Sequence, residues 1–134
     1  MSLLIPNTAQ LFMLNALVDR DMKLKLFSNN LTPAVTDTVA SLTEVAGGGY
    51  TAITLDDDDW VVTIGPPAVA VFNAFQDFNF TGATSGPGTI YGYYITDSGG
   101  TQLLWEERFP TVPFVPLLGS LIRVKPRITL NNAD

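Results

Sequence analysis

The chain has 134 residues and a net charge of −6, and it contains neither cysteine nor histidine. These absences exclude disulfide bonds, thiolate nucleophiles, imidazole bases and zinc sites built from the usual ligands. The acidic balance argues against a general nucleic-acid-binding protein, which needs a basic surface to neutralise phosphates. With 46% hydrophobic and only 15% charged residues, the chain is predicted to fold as a single domain over 1–134, and its low charge indicates a surface largely covered by partners.

The first element in chain order is a predicted helix over about 7–19. Asn7 is placed to cap its N-terminus, and Gln10 completes a capping-box pattern. Apolar residues then recur at helical spacing, at Leu11, Leu14, Leu17 and Val18. No apolar run approaches the roughly 20 residues needed to cross a membrane, and we expect no secretory signal.

From residue 22 onward the pattern changes to the period of two that is typical of strands. The predicted strands cover 22–27, 50–55, 60–64, 69–80 (bent or bulged), 89–96, 102–109 and 121–130. A helical turn is predicted around 39–45, with Ser41 and Glu44 at capping-box spacing. The run from Asp97 to Gly100 predicts a tight hairpin. The elements together predict a mainly β fold, with an antiparallel β-sandwich or jelly-roll-like core and an N-terminal α-helix.

Two acidic runs are the candidates for chemistry. Residues 56–59 are four consecutive aspartates, but they lack the alternation and the glycine of a calcium-binding EF-hand loop. We interpret them as a solvated turn and leave cation binding open. Glu106 and Glu107 are neighbours on a strand and face opposite sides, so they cannot jointly flank a glycosidic bond. We therefore predict no catalytic residue, no metal site and no cofactor, in a protein that is not an enzyme.

The aromatic residues leave two interpretations open, because a sugar-binding platform and a packed core both use tryptophan and tyrosine. Trp105 lies on an otherwise apolar strand face and is predicted to belong to the core. Tyr91 and Tyr93 share a strand face and are better placed for an exposed contact.

The segment 110–118 is apolar, nearly free of charge and punctuated by proline. Proline cannot serve a central strand, so the segment is predicted to be an extended connection or an arm that lies on a neighbour. Its candidate contact residues are Phe114, Val115, Leu117 and Leu118.

Three of the seven basic residues follow this segment. Arg123, Lys125 and Arg127 alternate with apolar residues, which predicts that they line one face of one strand. In an acidic protein such a basic stripe indicates a docking surface for an acidic partner.

Several blocks of the chain resemble small virion proteins of tailed bacteriophages. They are MKLKLFSNNLTP (22–33), SLTE (41–44) leading to Gly49-Tyr50, IYGYYITD (90–97) leading to LWEERF (104–109), and PRITL (126–130). The resemblance implies a structural protein, either of the capsid, as a cement or decoration protein, or of the tail. It implies no catalytic residues.

Among these roles we select the capsid cement protein, because the low charge, the apolar arm and the basic stripe fit a protein defined by its neighbours. It is predicted to bind the major capsid protein and neighbouring copies of itself as a homo-oligomer, on the capsid exterior after assembly in the host cytoplasm. No direct contact with nucleic acid or membrane is expected. The alternative is a tail or surface-exposed receptor- or carbohydrate-binding β-module, which requires an exposed aromatic cluster in a concave site.

Overall fold

The computed structural model describes residues 4–65 and 67–130. Within them the chain has one α-helix and nine strands in antiparallel sheets, which confirms the predicted fold class. The elements are α1 (Asn7–Val18), β1 (Met22–Phe27), β2 (Ile53–Leu55), β3 (Trp60–Thr63), β4 (Ala68–Phe72), β5 (Gln76–Asn79), β6 (Gly92–Asp97), β7 (Leu103–Arg108), β8 (Leu121–Val124) and β9 (Arg127–Leu130).

The chain forms two compact units that are interleaved in sequence. Unit 1 comprises the described parts of Met1–Asp21, Asp56–Gln76 and Val124–Asp134, and unit 2 comprises Met22–Leu55 and Asp77–Arg123. The organisation as a single domain stays a prediction.

In unit 1, α1 packs on β3 and β4 of a three-stranded sheet ordered β3-β4-β9. Its buried residues are Gln10, Leu14 and Val18. Gln10 faces inward, where its amide donates to the Ile5 carbonyl (2.8 Å) and its oxygen accepts from the Ala68 N–H (3.4 Å). The predicted capping box is therefore wrong. Pro6 occupies the cap position, and no side chain caps the helix.

In unit 2, a four-stranded sheet has the order β2-β1-β6-β7. β1 lies between two strands and has the predicted bounds, with Leu24 opposite both Ile53 and Ile95. The apolar residues of β1 are completely buried, whereas the intervening lysines are only half-buried. The core continues beyond the sheet, where Tyr50 stacks on Phe78 with 5.7 Å between ring centroids.

The turns follow local chemistry. The predicted hairpin is confirmed, since the Asp97 carboxylate accepts from the backbone N–H groups of Thr101 (2.7 Å) and Gln102 (3.1 Å). The predicted turn near 39–45 is a 3₁₀ helix at Val39–Ser41. Glu44 does not cap it, because its carboxylate accepts a hydrogen bond from the Tyr50 hydroxyl (2.8 Å).

Two long predicted strands are each divided in the structure. The segment 69–80 becomes β4 and β5, and 121–130 becomes β8 and β9, which belong to different sheets. Pro126 separates β8 from β9 because it has no N–H to donate to a sheet. Its carbonyl instead accepts from the Phe72 N–H (2.9 Å).

Candidate interaction surface

Four aliphatic side chains of unit 2 project into solvent from one tight turn. Their exposed fractions are 55% for Val115, 63% for Leu117, 80% for Leu118 and 44% for Leu121. We call residues 115–121 the apolar turn. Three of the four predicted contact residues lie in it and are exposed, and Leu121 is an addition that the sequence analysis missed.

Phe114, the fourth predicted contact residue, anchors the segment instead of facing outward. It is half-buried and exchanges two backbone hydrogen bonds with Ile90, at 2.8 and 2.9 Å. Its ring lies 6.4 Å from that of Phe80, measured between centroids. Pro116, two residues later, is fully buried. Alternate residues of the segment thus hold it to unit 2, while the residues between them face solvent.

Hydrogen bonds fix the shape of the apolar turn. The Ser120 N–H donates to the Leu117 carbonyl (3.0 Å), and the Leu117 N–H donates to the Ser120 hydroxyl (2.9 Å). The Gly119 N–H donates to the Phe80 carbonyl (2.9 Å). Gly119 has a φ of +85°, a conformation that glycine adopts without steric cost. The leucines are therefore presented on a fixed backbone rather than on a flexible arm.

A shallow cleft of about 260 Å³ adjoins the apolar turn. Its lining is mainly apolar and includes one arginine. The lining residues are Phe109, Pro110, Thr111, Phe114, Leu121, Ile122 and Arg123. A side chain of a partner has room to enter beside the leucines.

The predicted basic stripe is not one continuous strand face. Arg123 lies in β8 and Arg127 in β9, and Lys125 lies in the break between them. The alternation itself is confirmed, since the three basic residues are exposed and the apolar residues between them are buried. The strand is interrupted at Pro126, which has no N–H group to donate to a sheet.

Two of these basic residues already have neighbours. The Arg123 guanidinium binds the Asp77 carboxylate through two hydrogen bonds, at 2.8 and 3.1 Å. The Lys125 ammonium lies 5.5 Å from the centroid of the Phe75 ring. Because the Asp77 carboxylate neutralises Arg123, the positive charge available to an acidic partner is smaller than the sequence predicts.

The acidic run 56–59 forms the predicted exposed turn. Asp57, Asp58 and Asp59 form a 3₁₀ helix, and the Asp56 carboxylate accepts from the Asp58 N–H (3.0 Å). Carboxylate oxygens of Asp21, Asp56 and Asp57 lie within 4.8 Å of one another. A hydrogen bond to Asp56, together with the surrounding negative charges, raises the pKa of Asp57. Asp21 and Asp56 are exposed and Asp57 is half-buried, as in the solvated turn that the sequence predicts.

The aromatic residues are placed differently from the prediction. Tyr93 is buried and donates its hydroxyl proton to the Glu107 carboxylate (2.7 Å), and this burial raises its pKa. Tyr91 is half-buried beneath the Arg108 guanidinium, 5.1 Å from the ring centroid. Trp105 is half-buried rather than part of the core. The prediction that Tyr91 and Tyr93 form an exposed contact is therefore wrong.

The sequence analysis also missed a pair of carboxyl groups, Asp37 and Glu106. The Ala34 N–H donates to both, although Ala34 and Glu106 are 72 residues apart in the sequence. No local pattern indicates this pair, because tertiary folding alone brings the loop to the strand.

No protein family, no curated protein and no solved structure matches the chain. Among the described residues, no helix is both long enough and apolar enough to span a bilayer. The geometry of the surface is thus the main guide to function.

Proposed function

We propose that this chain is a capsid cement or decoration protein, a non-enzymatic virion structural protein that binds and stabilises the shell of the major capsid protein. The observation that supports this proposal is the apolar turn. Its leucines are up to 80% exposed and are held outward by hydrogen bonds of the backbone itself. Contiguous exposed apolar surface usually marks a contact with another molecule, because covering it removes apolar area from water.

The fixed backbone favours a permanent structural contact. Association costs free energy when it must order flexible segments, and a turn that is already ordered avoids that cost. The shallow cleft beside the turn suits a broad subunit contact better than enclosure of a small ligand. The partners proposed are the major capsid protein and neighbouring copies of this chain.

The chemistry of the turn argues against the alternative function, a receptor- or carbohydrate-binding module. Sugar-binding sites use the flat faces of aromatic rings, whereas the apolar turn exposes valine and leucine. The tyrosines that were candidates for such a platform are buried or half-buried.

The test is binding of the purified protein to expanded, undecorated capsids of the phage that encodes it. We expect saturable, symmetric occupancy. The double variant Leu117→Ser, Leu118→Ser should bind at least about 30-fold more weakly, because it removes the exposed centre of the contact. Its thermal midpoint should stay that of the wild type, since neither side chain belongs to the core.

The control is Val35→Ser, which makes a fully exposed aliphatic residue polar outside the apolar turn. This control should bind as the wild type does. The proposal fails if the wild-type protein shows no saturable occupancy, or if the double variant occupies capsids as fully as the control.

A further inference from the structure

A pair of carboxyl groups links a loop of unit 2 to the edge of its four-stranded sheet. Asp37 lies in the loop 33–37, and Glu106 lies in β7, an outer strand of the sheet. The Ala34 N–H donates to Asp37 Oδ2 at 2.9 Å and to Glu106 Oε1 at 3.2 Å. The two carboxyl groups therefore accept hydrogen bonds from the same backbone N–H group.

The environment of the second carboxylate oxygen of Glu106, Oε2, favours a proton shared with Asp37. Glu106 Oε2 is closed off from solvent and has no hydrogen-bond donor among the described residues. A charged oxygen without a donor is unfavourable in such a position. Because both carboxyl groups already accept from the same Ala34 N–H, a proton on Glu106 has the Asp37 carboxylate as its nearby acceptor. One proton between them thus removes both the unpaired oxygen and the repulsion of two like charges.

Among the described residues, no cation forms an ion pair with Asp37 or Glu106. Tyr94 lies opposite Glu106 in β6, and Lys25 of β1 lies opposite Tyr94 and pairs with Glu44 at 3.6 Å. Arg108, two residues along β7, donates instead to the Asn30 side chain (2.7 Å) and the Leu31 carbonyl (3.1 Å). Partial burial, and then the hydrogen bond and charge of Asp37, raise the pKa of Glu106 to about 7, while the bond from Ala34 acts in the opposite direction.

The pair spans an open gap between the loop and the strand. A cleft of about 400 Å³ lies between them and has mainly apolar walls. It is lined by Pro33, Ala34, Val35, Asp37, Leu103, Leu104, Trp105 and Glu106. The hydrogen bond from Ala34 to Glu106 fastens the two sides of this cleft to each other.

We propose that Asp37 and Glu106 form a proton-dependent clasp, which fastens the loop 33–37 to the edge of β7 while they share a proton and loosens when both are ionised. Loosening replaces an attractive hydrogen bond with repulsion between two carboxylates. The loop then moves away from β7 and widens the cleft along the edge of the sheet.

The direction of the pH dependence follows from the two states of Glu106. In the unfolded chain it releases its proton near the ordinary value of 4.5, and in the folded chain near 7. The folded state binds the extra proton between these values. The clasp therefore contributes its full stability below about pH 4.5, and this contribution is lost as the pH rises through about 7.

The test is to follow the Ala34 amide by ¹⁵N NMR while the pH is raised from about 5 to about 9, across the ordinary range of such a shifted carboxyl group. In the wild type, the amide resonance should titrate with a midpoint near 7. Its hydrogen-exchange protection, corrected for the intrinsic rate, should fall several-fold over the same range. In Glu106→Gln, which stays neutral and can still donate to Asp37, both changes should disappear.

Glu107→Gln is the matched control, because it neutralises the adjacent exposed carboxylate and should leave the Ala34 titration unchanged. Asp37→Asn is a second variant, and it should lower the pKa of Glu106 because it removes the neighbouring charge. The clasp is refuted if Ala34 does not titrate near neutral pH in the wild type, or if the titration survives in both Glu106→Gln and Asp37→Asn.

Discussion

β1 and the apolar turn are both rich in leucine, and they have opposite exposures. Leu24 and Leu26 of β1 are 0% exposed, whereas Leu117 and Leu118 are 63% and 80% exposed. β1 pairs with strands on both sides, and its alternating pattern places the leucines on the buried face of the sheet and the lysines on the other face. The turn is fastened through Pro116, Ser120 and Gly119, so its leucines point away. Apolar composition predicts that a segment will be buried against something. The hydrogen bonds of its backbone determine whether its side chains face the core of the same chain or the solvent.

Truncating a leucine in each region should give the largest contrast. We expect Leu24→Ala to lower the free energy of unfolding by about 2–5 kcal/mol, because it leaves a cavity in a closed core. Leu118→Ala should change it by less than about 0.5 kcal/mol, since the side chain is mostly in solvent. Urea denaturation of the two variants measures both values. Similar losses would mean that the apolar turn packs against its own chain.

The sequence predicts the regular elements of this contrast well. α1, β1 and the hairpin at Asp97 are confirmed because each depends on residues close together in the sequence. The lysines of β1, for example, alternate with apolar residues and so identify the buried face directly. The division of 121–130 at Pro126 is the main error, and a proline in a strand pattern is itself the signal for it.

The interaction surface is only partly predictable from the sequence. The apolar character of 110–118 is visible in its composition, but the outward direction of Leu117 and Leu118 depends on a hydrogen bond to the distant Phe80 carbonyl. The burial of Tyr93 and the meeting of Asp37 with Glu106 also depend on contacts between remote segments. Patterns of local periodicity carry no information about such contacts.

A smaller effect should follow when the shape of the turn is disturbed without loss of apolar area. Ser120→Ala removes the hydroxyl that accepts from the Leu117 N–H at 2.9 Å. We expect a loss of about 0.5–1.5 kcal/mol in the free energy of unfolding, the usual contribution of one hydrogen bond. Capsid binding should weaken as well, although every leucine remains. Ser98→Ala, in the exposed hairpin after β6, is the control and should change neither quantity.

Normal capsid binding by Ser120→Ala would indicate that the leucines adapt to the partner on contact. The apolar turn would then differ from β1 only in the exposure of its leucines, and its fixed backbone would not contribute to binding.

The smallest effect on stability should come from the ion pair beside the turn. The hydrogen bond from Arg123 holds the pKa of Asp77 below its ordinary value of 3.8, so the pair contributes stability above that value and loses it as the pH falls through the lower folded value. Both side chains are well exposed, and exposed pairs contribute little. Arg123→Gln should therefore leave the thermal midpoint near pH 7 unchanged within error, while the Asp77 carboxyl titration seen by NMR moves up toward 3.8. Arg123→Lys, which keeps the charge, should move the Asp77 titration less.

Because the Asp77 carboxylate already neutralises Arg123, Arg123→Gln should also weaken the proposed capsid binding far less than the double variant Leu117→Ser, Leu118→Ser does, at every salt concentration. An equal loss in both variants would place charge, rather than the apolar turn, at the centre of the contact.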